Sequence, residues 1–145
     1  GYCKTSGSSG IHIFVPMGAN YEYEQVRDFA HLLMQLVQVK LSKTTTLERS
    51  LSKRGPKIYL DYLQNREGQT VASVYSARPK PGATVSMPLE WSELTNDLSI
   101  KDFTIKNSLN RIEKKGDLFM PVLKKGISIE KALKKLDIHN KKNPN

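Results

Sequence analysis

Two strand-like runs, KIYLDYL at residues 57–63 and TVASVYS at residues 70–76, most constrain how this chain can fold. They are joined by QNREGQ, in which Gly68 can take the positive φ that a tight reversal needs. A helix is predicted over residues 20–39, because its apolar residues lie near helical spacing and Asn20 can cap it. The expected fold class is therefore α/β (α+β type), a mostly antiparallel sheet with a central β-hairpin packed against helices.

The remaining segments are predicted from local composition. Small and polar residues predict loops, apolar runs predict strands, and serines before apolar periodicity predict helix N-caps. The predictions are a Ser/Gly loop at residues 1–10, a strand at Ile11–Val15, an exposed loop at 40–56, an ordered surface loop at 77–88, a short helix or turn at 89–94, a short strand at 102–107, and helices capped by Ser108 and Ser128. One domain over residues 1–138, followed by a disordered tail at 139–145, is the expected organisation.

The chain is basic, with 23 Lys and Arg residues against 14 acidic residues among 145, a net charge of +9. Most of the excess follows Lys101, where 12 basic and 5 acidic residues occur. An excess of positive charge favours binding to polyanions, through contacts with phosphate groups and the release of counterions. The lysine pairs in this part of the chain could equally well solvate the surfaces of short helices.

The sequence also excludes some classes of protein. Cys3 is the only cysteine, so no internal disulfide can form, as is usual in a reducing cytoplasm. No apolar run approaches the roughly 18 residues of a membrane span, and GYCKTSGSSG lacks a signal-peptide core. We therefore expect a cytoplasmic, nucleoid-associated protein with no membrane partner. The histidines are scattered, and neither a zinc site nor a nucleophile–base pair is indicated.

Asp61 is the first candidate site residue. In a strand at 57–63 it would lie between apolar neighbours, where a carboxylate is costly unless a cation, backbone donors or a metal compensates it. A metal ligand and an ordinary salt bridge, with Arg78 or a lysine as the cation, are both open from this pattern. If the two runs pair, Asp61 and Arg78 lie on neighbouring strands no more than roughly 15–20 Å apart, a gap that a triphosphate with its metal could bridge.

The segment KTSGSSGIH at residues 4–12 is the second candidate. It combines a lysine, hydroxyls and flexible glycines with His12 at the head of a strand. Exposed amides, hydroxyls and a lysine are groups that hold phosphate oxygens, although a Ser/Gly segment near a terminus can also be only a linker. The order is loop then strand, which differs from a P-loop.

Several segments together resemble the polymerase domains of bacterial ligase D, in the archaeo-eukaryotic primase superfamily. They are KTSGSSGIHIFVPM, KIYLDYLQN, VASVYSARPKPGATVSMPLEWSEL and DFTIKNSLNRIEKKGDLF, in the family's order and spacing. The resemblance implies two-metal nucleotidyl transfer to a primer 3′ end during non-homologous end joining, using Mn²⁺ or Mg²⁺ and a nucleoside triphosphate. It also implies DNA ends or gapped DNA, the end-joining protein Ku, and ligase and nuclease domains as partners.

The same resemblance implies roles for single residues. Asp61 matches a metal-binding carboxylate of the family, whereas Lys4, Ser6, His12 and Arg78 match its nucleotide-phosphate site. Possible nucleic-acid contacts are Arg54, Lys57 and Lys80. An alternative function, a non-catalytic basic nucleic-acid-binding module, would use the C-terminal lysines instead.

The chain also departs from the family pattern. Ser9 stands where the family often has lysine, and Gln64 where it usually has arginine, so we expect weaker binding of phosphate groups. The family's Asp-x-Asp metal pair is absent from this sequence, which resembles about the second half of the domain. We therefore expect this chain alone to be inactive or nearly so.

Overall fold

The computed structural model describes residues 1–142 and divides them into two compact units. Unit 1 comprises residues 1–19 and the chain from Ala72 onward, and unit 2 comprises Asn20–Val71. Mixed helices and antiparallel strands confirm the expected fold class. No helix in the described part of the chain is long and apolar enough to cross a membrane.

Unit 1 is built on a three-stranded antiparallel sheet with β1 (Tyr2–Thr5) in the centre. On one side β1 pairs with β2 (Ile11–Phe14), and on the other with the short strand that we label β3 (Pro88–Leu89). The prediction of a loop over residues 1–10 was therefore wrong for β1, and only residues 6–10 form the connection. The predicted strand at Ile11–Val15 is confirmed as β2.

The core of unit 1 covers one face of this sheet. Its five buried apolar side chains are Cys3, Val85, Met87, Leu89 and Phe103. Tyr75, Leu94 and Leu98 are partly buried and pack against them. Residues 84–89 are buried, so the expectation that the 77–88 segment crosses the surface was wrong for its second half. Pro88 is tolerated here because β3 is an edge strand, where one backbone N–H does not have to join the ladder.

Polar side chains complete the pairing between β1 and residues 85–87. The Thr5 hydroxyl donates to the Val85 carbonyl (3.0 Å) and accepts from the Met87 N–H (3.0 Å). The Ser86 hydroxyl donates to the Thr5 carbonyl (2.8 Å). Because every such bond satisfies a buried backbone group, hydroxyl side chains can occupy the most enclosed part of this sheet.

The predicted hairpin between residues 57–63 and 70–76 was wrong. In unit 1, residues 75–78 turn back on residues 84–86 instead, through an antiparallel bridge between Ala77 and Val85 and a bond from the Arg78 N–H to the Thr84 carbonyl (2.7 Å). The proline- and glycine-rich residues 79–83 form the turn. The segment 70–76 therefore supplies one arm of a hairpin, but its partner follows it in sequence.

In the sequence, the helices of unit 1 come after its three strands. Three are short 3₁₀ segments, at Trp91–Glu93, Ile100–Asp102 and Met120–Leu123. Two are α-helices, α3 (Ser108–Lys115) and α4 (Ile129–Lys142). Ser128 caps α4 as predicted, accepting from the Lys131 N–H (3.2 Å), whereas Asn107 rather than Ser108 is the N-cap of α3. The predicted strand at 102–107 is only an isolated bridge at Thr104. α4 enters the predicted tail, whose residues 143–145 lie outside the described residues.

Unit 2 contains the long helix α1 (Tyr23–Lys40), which begins three residues later than predicted. Glu22 rather than Asn20 is its N-cap, and the Glu22 N–H donates to the Gln25 side chain (2.9 Å). Two strands of two residues, β4 (Thr45–Thr46) and β5 (Ile58–Tyr59), pair in parallel. Between them lies the single-turn helix α2 (Leu51–Arg54), so the 40–56 segment is not simply the exposed loop that composition predicted.

Candidate functional site

The loop after β1 is held by the side chain of Ser6. Its Oγ accepts hydrogen bonds from the backbone N–H groups of Ser8 (3.0 Å), Ser9 (3.1 Å) and Gly10 (3.0 Å), and the Ser6 N–H donates to the Gly10 carbonyl (2.8 Å). The loop is therefore a compact turn that returns the chain directly into β2. Because the acceptor capacity of Ser6 is used inside the loop, Ser6 can act on a ligand only through its hydroxyl hydrogen.

Lys4 lies in the middle of β1 and is fully buried, with no exposed surface. Its Nζ bonds the Ala72 carbonyl (2.8 Å), Ser86 Oγ (2.5 Å) and His12 Nδ1 (3.2 Å). Burial lowers the pKa of Lys4 from 10.5 to about 8, with a smaller contribution from the positive charge of Arg78. Lys4 therefore carries its charge at neutral pH while being enclosed by polar neighbours.

His12 faces Lys4 across the β1–β2 pair, since the two residues are direct partners in the antiparallel register. Its ring is half-buried. Arg78 joins them at the turn between residues 75–78 and 84–86, where its aliphatic chain passes over Gly7. Unit 1 thus brings together the four residues that the resemblance assigns to phosphate, Lys4, Ser6, His12 and Arg78, although contact with a nucleotide stays a prediction.

Asp61 lies in unit 2 and differs from its sequence-based description. It follows β5 instead of lying within a strand, and its side chain is exposed. Asp61 Oδ1 accepts from the Leu63 N–H (2.9 Å), and Oδ2 accepts from Gln64 Nε2 (3.3 Å), so the carboxylate caps a turn. The expectation of a carboxylate buried among apolar neighbours was wrong, because the strand ends two residues earlier.

The metal-binding role of Asp61 stays a prediction. Among the residues that the structure describes, no group of three or more His, Cys, Asp and Glu side chains could hold a metal ion. Asp61 offers one oxygen ligand of the type that Mg²⁺ and Mn²⁺ prefer. A two-metal centre needs more carboxylates than the described part of this chain brings together.

The predicted nucleic-acid contacts have different environments. In unit 2, Arg54 lies over the Tyr59 ring at 4.3 Å and donates to the Arg49 carbonyl (2.8 Å), while Lys57 donates to the Ser42 carbonyl (2.7 Å). Lys80 lies in unit 1, exposed in the turn at 79–83. All three therefore remain accessible enough to be tested as DNA contacts.

Sequence reasoning missed two polar features of unit 1. Ser86 lies at the centre of the Lys4 network, and only its position in a segment of alternating small and apolar residues, ATVSMP, could have indicated a buried strand. The second feature is the pair of Glu93 and Arg111, which are bonded through Nη1 to Oε1 (2.8 Å) and Nη2 to Oε2 (2.6 Å). Nothing in their local sequence pattern indicates this long-range pairing.

The architecture of unit 1 defines a class of protein. A lysine, a histidine, an arginine and a serine-held turn lie close together beside an antiparallel sheet flanked by helices, so unit 1 is an α/β domain that carries a polar, basic cluster. The family model of the LigD primase-polymerase domain matches residues 1–119. This chain therefore belongs to the LigD primase-polymerase domain family, as the motifs in its sequence predicted.

Individual relatives support this assignment. The chain is 37% identical over 116 residues to the bifunctional non-homologous end joining protein LigD of Bacillus subtilis, which covers 79% of this chain and 19% of the relative. It is 30% identical over 121 residues to the multifunctional LigD protein of Mycolicibacterium smegmatis, covering 83% and 16%. The chain thus spans less than a fifth of the length of these relatives.

A solved structure shows the same fold. The polymerase domain from Mycobacterium tuberculosis ligase D, in complex with DNA, superposes with a TM-score of 0.79 at 26% sequence identity. The match covers 87% of this chain and 44% of that chain. Nearly all of this chain therefore follows the polymerase-domain fold, and it corresponds to less than half of that domain.

Proposed function

We propose that this chain contributes the triphosphate-binding side of a nucleotidyltransferase that adds nucleotides to a primer 3′ end in DNA end joining. The observation that carries the proposal is the cluster of Lys4, His12 and Arg78 around the serine-held turn in unit 1. Hydrogen bonds from charged donors to phosphate oxygens are about twice as strong as neutral ones. A cluster of this kind would favour the most highly charged part of a nucleotide.

The proposed chemistry needs a divalent metal, Mn²⁺ or Mg²⁺, and Asp61 is proposed as one of its ligands. The carboxylates of the described residues do not by themselves form a two-metal centre. We therefore propose that this chain alone is inactive. Carboxylates from another part of a complete domain would have to join Asp61.

The proposed partners follow from the relatives. Two of them are named as non-homologous end joining proteins, and the solved polymerase domain is described in complex with DNA. For this chain we propose a nucleoside triphosphate as substrate and gapped DNA or DNA ends as the second substrate. Ku and the ligase and nuclease domains of a parent protein are proposed as partners, and the nucleoid as the place of action.

Nucleotide binding tests the proposed function directly. We expect ATP to bind this chain in calorimetric titrations, and we expect His12→Ala to weaken the affinity about tenfold to a hundredfold. A hydrogen bond to a charged group contributes about 1.5–3 kcal/mol, which corresponds to that range. Titrations with and without MnCl₂ would show how much of the affinity depends on the metal.

His31→Ala is the matched control, because it removes a histidine from unit 2, where His31 stacks on Tyr62 at 4.1 Å. It should retain the parent affinity. Circular dichroism establishes that each variant is folded. If the folded parent chain does not bind ATP, or if both histidine variants bind like the parent, the proposed phosphate site is wrong.

A basic nucleic-acid-binding module is the second candidate function. A groove of 320 Å³ beside α3 favours it, since Arg111, Lys114 and Lys115 line this groove together with Asp102 and Phe103. Binding through this surface would depend steeply on salt, because each neutralised phosphate releases counterions. DNA binding that is lost in Lys114→Ala but unchanged in His12→Ala and Arg78→Ala would favour the module over the nucleotide site.

A further inference from the structure

The hydrogen bonds around Lys4 have a fixed direction. An ammonium group has three hydrogens to donate and no lone pair to accept with. Lys4 Nζ has three neighbours at bonding distance, namely the Ala72 carbonyl, Ser86 Oγ and His12 Nδ1. Ser86 must accept here, because its own hydroxyl hydrogen is donated to the Thr5 carbonyl (2.8 Å). His12 Nδ1 is therefore the third acceptor.

This direction determines the tautomer of His12. An imidazole nitrogen that accepts a hydrogen bond carries no hydrogen, so a neutral ring must be protonated at the other nitrogen. We infer that Lys4 is a positioning residue, whose buried ammonium bonds His12 Nδ1 and so fixes the orientation of the ring and the Nε2–H tautomer of its neutral form. This inference rests on the proposed function and changes the role of Lys4, which sequence resemblance placed in direct contact with phosphate.

Burial separates the positioning role from direct contact. Lys4 has no exposed surface and each of its hydrogens already has a protein acceptor, so no atom of the ammonium is available to a ligand. An apolar residue of the same length would occupy this site without the cost of burying a charge. A lysine that served only to fill space would therefore be a poor choice here.

The state of His12 in the ligand-free chain is the first test. We expect ¹⁵N chemical shifts of the His12 ring, measured near pH 7, to show the Nε2–H tautomer, with Nδ1 unprotonated. In Lys4→Met, which keeps the length of the side chain but cannot donate, we expect this preference to be reduced. An Nδ1–H tautomer in the parent chain would overturn the inference without any variant, as would an unchanged tautomer in Lys4→Met.

The affinity for inorganic triphosphate is the second test. We expect Lys4→Met to weaken binding about tenfold or more, while Lys101→Met, which removes an exposed lysine of unit 1, stays within about twofold of the parent. In the double variant with His12→Ala, Lys4→Met should have no further effect, because its contribution acts through His12. A second, additive loss would show that Lys4 contacts the anion itself and would overturn the inference.

The two tests separate this inference from the proposed function. The tautomer is measured without any ligand, so a chain that binds no triphosphate contradicts the proposed function and leaves the tautomer result to decide the role of Lys4. Conversely, a parent chain that binds triphosphate through His12 with the Nδ1–H tautomer would sustain the proposed function and reject the positioning role.

Discussion

Gly7→Ala should destabilise unit 1 by about 2–4 kcal/mol and abolish triphosphate binding. Gly7 has a φ of +66°, a conformation that is unfavourable for residues with a Cβ. An added Cβ would lie 2.6 Å from Arg78 Cγ, 3.0 Å from the Ser86 backbone nitrogen and 3.1 Å from the Val85 carbonyl carbon. The arginine chain could move away, but the two backbone atoms belong to the sheet and cannot.

We expect Gly7→Ala to weaken triphosphate binding by more than the lower free energy of unfolding alone would cause. Gly7 lies between the Ser6 turn and the segment that carries Arg78, so a displacement there moves both candidate phosphate contacts at once. Fluorescence of Trp91, the single tryptophan, reports unfolding of unit 1 in urea, and calorimetry reports binding. Both measurements should be made at a temperature at which the variant is still folded.

Gly10→Ala is the matched control for this prediction. Gly10 lies in the same turn, but an added Cβ would meet no atom within 4 Å, and its φ is not in the left-handed region. We expect Gly10→Ala to be neutral within about 0.5 kcal/mol. Equal effects of the two substitutions would show that the turn, and not the close approach at Gly7, determines the stability.

The central strand was the part of the fold that sequence reasoning failed to find. Residues 1–10 contain mainly small and polar side chains, which usually indicate a loop. In the structure, Thr5 and Ser86 replace missing backbone partners with their hydroxyls, and Lys4 satisfies three acceptors. Hydrophobic patterning cannot reveal a strand that is buried through long-range polar pairing, because the partners lie some 80 residues away in sequence.

Asp61 shows a second limit. A strand over KIYLDYL would place a carboxylate between apolar neighbours, yet β5 ends at Tyr59 and Ile58 is 66% exposed. The strand β5 pairs in parallel with β4 through only two residues of each strand, and no local sequence pattern specifies such a short pairing. The elements that local periodicity and capping do specify, α1, β2 and the start of α4, were predicted to within a few residues.

The family motifs grouped residues that local patterns could not group. Lys4, Ser6, His12 and Arg78 were grouped by resemblance, and the structure places them at one end of the unit 1 sheet although Arg78 lies more than 60 residues beyond the others. A motif records which residues converge, while physical patterning records only which segments can form helices or strands. The candidate site could therefore be named from sequence, but its hydrogen-bond directions could not.

The ion pair of Glu93 and Arg111 stabilises the edge strand β3 of the sheet that carries the candidate site. Their side chains are 24% and 17% exposed, and Arg111 Nη2 also donates to the Pro88 carbonyl (3.1 Å) in β3. Lys115 approaches the same carboxylate at 3.3 Å, and it bonds Glu90 as well. Since Pro88 is the direct partner of Lys4 in the β1–β3 register, this network stabilises the strand beside the candidate phosphate site.

Unit 1 should lose stability in acid because of Glu93. The bidentate bond from Arg111 lowers the pKa of Glu93 from 4.5 to about 2 in the folded chain, against the opposing effect of burial. Between these two values the unfolded chain binds more protons than the folded chain, so the free energy of unfolding falls as the pH falls from about 4.5 to 2. The contribution of Glu93 above pH 4.5 is about 3 kcal/mol by this linkage.

Glu93→Gln should remove this contribution at neutral pH and flatten the dependence of stability on pH below 4.5. Urea unfolding followed by Trp91 fluorescence across the range from pH 7 to pH 3 measures both effects. Glu113→Gln makes the same chemical change on an exposed side chain of α3 and should keep the parent's profile. Asp117, whose pKa is lowered chiefly by the bond from the Tyr75 hydroxyl, would leave a smaller acid sensitivity in both variants. If Glu93→Gln keeps the parent's full acid sensitivity, other carboxyl groups must stabilise this edge, because glutamine cannot titrate in that range.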